Sequence, residues 1–113
     1  MQRKVREAFA HELDEADACA LRGDVHLAWR HLERAHVLSQ AWAIPHVRVH
    51  LLMLVHAIRL RDKREVRGQL LRLVVAAPGS WLGRTPRGNT GGSNVGILKP
   101  MPIPEDLQRI LLQ

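Results

Sequence analysis

Apolar residues recur at steps of three and four through most of the first 76 positions, a period that predicts helices. Between residues 3 and 22, Val5, Phe9, Leu13, Ala16 and Ala20 fall on one stripe, with Glu12 at its edge. Gly23 predicts the end of that helix and Asp24 the N-cap of the next. Over residues 25–41 the stripe is Val25, Ala28, Trp29, Leu32 and Ala35. His36 continues it, and Glu33 and Gln40 flank it. Pro45 suits the first turn of a third helix running to about residue 61. That helix is apolar nearly all round, which predicts the central position in the fold. Asp62 caps a fourth helix over about 63–76, with Val66, Leu70, Leu73 and Val74 facing inward, and Pro78-Gly79 is expected to end it.

The pattern breaks at residue 79. Residues 79–104 are rich in Gly, Pro, Asn and Ser and carry no period. The favoured reading is a flexible surface loop; the alternative is a lid over the helices, anchored by Trp81 and Pro86. A last helix over 105–112 follows, with Leu107, Ile110 and Leu111 as its apolar face. The fold class is therefore all-α in one domain over 1–113. Two antiparallel helical hairpins (1–78) are followed by a long Gly/Pro-rich loop (79–104) and a short C-terminal helix (105–113).

Composition narrows the function classes. The single cysteine, Cys19, forms no internal disulfide and reads as a packed, inert thiol. The N-terminal residues lack the apolar core of a secretory signal, and residues 49–60 are too short and too polar to span a bilayer. A cytoplasmic protein is the expectation. The formal net charge of +6 invites nucleic acid as a partner. The basic residues are dispersed, however, and with no Tyr and one Phe there is no evident platform for stacking bases. A second copy of the chain, or a protein or peptide, is the partner class the pattern favours. The stretch from Gly88 to Asn94 lacks the Gly-Lys-Ser/Thr ending of a phosphate loop.

The candidate chemistry lies between residues 33 and 50. Glu33 and His36 are three apart, and His46 and His50 are four apart across a short turn. If the second and third helices fold back on each other at 41–44, His36 comes level with His50 and Gln40 with His46. If the first and second fold back at Gly23, Glu12 comes level with Arg34, within a turn of His36. Glu12, Glu33, His36, His46 and His50 then converge. A Glu followed by His at the third position is half of a carboxylate-bridged di-iron motif, but only one copy is present. A zincin His-Glu-x-x-His is absent. One transition-metal ion (Zn, Fe, Mn or Cu) held by imidazoles and one or two carboxylates fits better. Hydrogen bonds from Glu12, Glu33 and Gln40 could satisfy the same rings without metal. His11, His26, His31 and His56 fall outside this set and are expected to be solvated.

Two resemblances accompany this reading. Residues 18–39, with the Gly23-Asp24 turn and the small residues Ala28 and Ala35, resemble the middle of a tetratricopeptide repeat. A weaker echo lies at Arg61-Asp62, where larger residues replace the small ones. That resemblance implies a helical-hairpin interaction module, the alternative to metal binding. The whole chain is also similar to a family of small bacterial proteins without known function. The residues that carry this are Leu32-Glu33-Arg34-Ala35-His36, the pair His46 and His50, and the Gly88-Asn89-Thr90-Gly91 loop. It implies no activity.

Overall fold

A computed structural model describes every residue except Arg84 and Leu98, and, within the fourth helix, all side chains but those of Ala77 and Trp81. Five helices follow in order: α1 (Arg3–Leu21), α2 (Val25–Ser39), α3 (Ala43–Arg59), α4 (Lys63–Trp81) and α5 (Glu105–Leu111). The described residues contain no strand, so the chain is all-α. None of the helices is long and apolar enough to cross a membrane.

The two hairpin turns are built alike. At the first, Gly23 takes φ +80° and the Asp24 amide donates back to the Cys19 carbonyl. At the second, Arg61 takes φ 56° and the Asp62 amide donates to the Ala57 carbonyl. Each is a Schellman turn, and each ends in an Asp whose carboxylate accepts an amide of the next helix. Arg61 therefore occupies a left-handed backbone that glycine would hold with less strain.

α2, rather than α3, is central. It packs against α1, α3 and α5. One core joins Phe9 and Ala16 of α1, Leu32 and Ala35 of α2, and Val49 and Met53 of α3. A second, at the other end of α2, gathers Val5, Val37, Leu38 and Leu107. The apolar surplus on α3 faces outward instead: Ile44, Leu51, Val55 and Ile58 are exposed.

α4 differs most from expectation. It continues through Pro78 to Trp81. Proline removes the bond to the Val74 carbonyl, but Val74 lies on the exposed face, where water can take that carbonyl. The following turn is held from inside, because the Ser80 hydroxyl donates to the Gln40 carbonyl at 2.7 Å. The inward face is also not the expected one. Leu70 and Val74 are exposed, while Gln69, Arg72, Ala76 and Ser80 are buried. Their steps of three and four mark one helical stripe, and three of the four are polar.

That polar stripe meets the glycine-rich segment, which folds onto the helices rather than forming a free surface loop. Asn89, 2% exposed, organises it. Its side-chain amide donates to the Gly96 and Lys99 carbonyls, and its side-chain oxygen accepts the Gly91 amide. Gln40 reaches across to the Pro86 carbonyl and the Gly88 amide. The expected anchor at Pro86 is thus in contact with α2; the side chain of Trp81 lies outside the described ones.

Candidate metal centre

Three imidazoles meet at one point. His36 comes from α2; His46 and His50, one turn apart, come from α3. All are buried. The register expected from the fold-back at 41–44 therefore holds for His36 and His50. The Nε2 atoms form a near-equilateral triangle: His36 to His46 is 2.9 Å, and His50 is 3.1 Å from each of the others. The rings stand at 49° to 74° to one another, like the legs of a tripod.

What lies behind each ring fixes its tautomer. His36 Nδ1 is 2.7 Å from the Asn89 carbonyl, which can only accept, so Nδ1 carries the proton. His50 Nδ1 is 2.6 Å from Gln69 Oε1. The Gln69 amide nitrogen donates to Glu65 and to the Gly91 carbonyl, so its oxygen must face the ring and accept. His46 Nδ1 is 2.8 Å from Ser80 Oγ, whose own proton already goes to the Gln40 carbonyl. All three rings are therefore Nδ1–H, and each turns an unprotonated Nε2 toward the other two. No hydrogen lies between any pair of these nitrogens. Three lone pairs converge at close range, an arrangement that a cation at their centre would relieve.

A proton is a poor candidate for that cation. Burial first, then the neighbouring His50 and His46, holds His36 well below the usual imidazole range. Burial first, then His50, pushes His46 down to about 4. Burial likewise pushes His50 down to about 4, against the opposing pull of its bond to Gln69. At neutral pH the three rings are uncharged, the form a metal ion requires.

The two carboxylates expected at this point are elsewhere. Glu12 accepts from Arg34 Nε at 2.8 Å and from His31 Nδ1 at 2.6 Å. Its level with Arg34 is as the register predicts, but its oxygens turn away from the cluster. Burial raises the Glu33 pKa, against the opposing pull of the neighbouring Thr90 and Arg30. Residues three apart on a helix differ by about 60° in direction. With His36 aimed at α3, Glu33 is turned toward the loop. Among the described residues, the group of ligand atoms within 4.8 Å of one another here is His36, His46 and His50, without a carboxylate. A second such group, Glu15, Cys19 and His31, is already bonded: His31 to Glu12, and the Cys19 thiol to Arg22 at 3.2 Å.

Two other histidines depart from expectation. His31 is half-buried against Glu12, and His56 is buried beside Trp29, with a ring separation of 5.7 Å. The residues sequence reasoning missed are Gln69, Ser80 and Asn89, which orient the rings, and Arg72 beside them. Gln69, Arg72 and Ser80 recur at helical spacing on α4, where the larger apolar residues predict the inward face, and Asn89 lies in the glycine-rich loop.

The triad opens on a cavity of about 390 Å³. All three imidazoles line it, with Arg72, Val75, Pro78, Pro86 and Ile97 among the other walls.

A family model described as a protein of unknown function (DUF3703) matches residues 3–111. The chain belongs to this family. The match spans all five helices and the loop that closes over the triad. Neither the curated proteins nor the solved structures give a match. Family membership assigns no activity, so the chemistry rests on the site.

Should the triad hold a metal ion, two substitutions test its scaffold. Gln69→Leu removes the acceptor behind His50 and is expected to weaken metal binding about 10- to 100-fold, the range for such orienting partners. Gly91 takes φ +85°, and a Cβ there would lie 2.6 Å from His36 Cδ2. Gly91→Ala should displace His36, weaken metal binding about 10-fold or more, and cost about 1–3 kcal/mol of stability from backbone strain. Zinc titration and urea unfolding of each variant measure both effects.

Proposed function

We propose that this protein binds one divalent transition-metal ion, zinc in the first instance, through the Nε2 atoms of His36, His46 and His50. The observation that carries this reading is the convergence of three buried nitrogens whose tautomers are fixed from behind. The triangle also has the right size. Its corners lie about 1.8 Å from its centre, within the 2.0–2.1 Å reach of a zinc–nitrogen bond, so all three nitrogens could bind one ion. The rings would hold it from one side and leave the cavity side open to a further ligand. Three histidines with one vacant position are the ligand set of catalytic zinc sites, whereas structural sites are closed by a fourth protein ligand. The all-imidazole set suits zinc, copper or iron better than manganese, which favours oxygen ligands.

The alternative, a helical-hairpin interaction module, draws support from the exposed apolar side chains of α3 and α4. The metal reading has a built site and stands first. Calorimetric titration of chelator-treated protein with zinc tests it. One equivalent should bind with sub-micromolar affinity, and the melting temperature should rise. At a hundredfold excess over Kd, binding adds about 2.7 kcal/mol of stability. Protein that takes up neither zinc nor copper would refute the proposal.

A further inference from the structure

One buried cation beside the site makes no direct ion pair among the described residues. Arg72 is 6% exposed and lines the same cavity as the imidazoles. Its guanidinium donates to the Val95 carbonyl at 2.8 Å and the Gly68 carbonyl at 3.3 Å. Both acceptors are neutral, and among the described residues no ion pair includes Arg72. The acid that acts on it is Glu65, whose oxygens are already taken by Ser93 and by the Gln69 amide. Burying a cation without a counter-charge is unfavourable. With Arg72 at +1, Glu65 at −1 and three neutral imidazoles as ligands, a divalent ion on the triad would leave a local charge of about +2. No acidic residue is among those that line the cavity. An anion in the cavity would therefore enter from outside the chain, and the walls it meets beyond Arg72, with Gln40, Thr85 and Asn89 among them, are otherwise mostly apolar.

We propose that the cavity binds a small monocarboxylate with an apolar tail. One carboxylate oxygen takes the fourth position of the metal, the other faces the Arg72 guanidinium, and the tail lies against Val75, Pro86 and Ile97. This rests on the metal reading above. A carboxylate has the planar, two-oxygen shape that a guanidinium fork recognises. A halide would balance charge but leave the apolar walls unused. A phosphate would bring further charged oxygens against those walls. The cavity volume of about 390 Å³ lies in the range of small-molecule sites.

Cobalt(II)-loaded protein, titrated with hexanoate and followed by its visible absorption, tests the inference. The cobalt bands should change saturably. Acetate and 1-hexanol should each bind at least 10-fold more weakly, since one lacks the tail and the other the charge. Arg72→Gln should hold one equivalent of cobalt and bind hexanoate at least 10-fold more weakly, with Arg72→Lys in between. Cobalt-loaded protein that ignores hexanoate, or that binds acetate or hexanol as tightly, would overturn the carboxylate site while leaving the metal reading standing. Equal hexanoate affinity in Arg72→Gln would do the same. Should Arg72→Gln fail to fold, Arg72→Lys and the hexanol comparison still decide. Protein that takes up no cobalt would remove both.

Discussion

Replacing His50 with Ala should lower zinc affinity by more than about 100-fold, a larger loss than removal of an orienting partner causes. The same is expected for His36→Ala and His46→Ala, because each ring supplies one corner of a three-nitrogen site. The contrast lies with the acids. Glu33→Gln and Glu12→Gln should leave zinc affinity within about threefold of the parent, since Glu33 is not among the ligand atoms that converge with the three rings and Glu12 bonds Arg34 and His31. Calorimetric titration of the five variants reads this directly, with far-ultraviolet circular dichroism confirming that the helices remain. A strong loss in Glu33→Gln would restore the mixed carboxylate–imidazole site that sequence spacing suggests. Equal affinity in all five would place the ion elsewhere.

The second large effect is on stability in acid. His46 and His50 are pushed down to about 4 by burial, and His36 is lowered well below the usual range by the same cause. In the unfolded chain each returns to an ordinary pKa of about 6.5. Between these values the unfolded state binds protons that the folded state refuses, so metal-free protein is stabilised fully above about pH 6.5 and loses that stability as pH falls toward 4. A depression of this size corresponds to roughly 3 kcal/mol for one ring. That is already a large part of the 5–15 kcal/mol typical of a small domain. Urea unfolding in the presence of a chelator should show a midpoint that falls steeply from pH 7 to pH 4.5. Substituting His46 and His50 with Gln should flatten that dependence. A midpoint unchanged across this range would mean that the rings are not held neutral.

Much of this geometry is legible in the chain before any coordinates. The turn residues Gly23-Asp24 and Asp62 mark both hairpins, because the backbone there needs a left-handed residue followed by a capping carboxylate. The fold-back between α2 and α3 then brings His36 level with His50 by register alone. Glu33 was misplaced because three residues carry a helix through most of a turn but leave about 60° of rotation. Spacing shows that two residues share a side, and only packing shows which of them the neighbouring helix meets. Pro78 departs from the expected helix end for a related reason. The local rule treats the lost hydrogen bond as terminal, whereas Ser80 anchors the next turn to Gln40 from outside the helix. The stripe of Gln69, Arg72 and Ser80 was the hardest to see. Buried polar residues look like a solvent face until their partners are known, and here those partners are ring nitrogens and loop carbonyls contributed by distant segments. The glycine loop followed from the same blindness, since its contacts with His36 and Gln40 run across more than forty residues.

X-ray absorption of the zinc-loaded protein is the most direct test of the central claim. We expect three imidazole nitrogens at about 2.0–2.1 Å from the ion, with an oxygen ligand at the remaining position. A sulfur scatterer, two or more carboxylate ligands, or an ion with fewer than three imidazoles would contradict it.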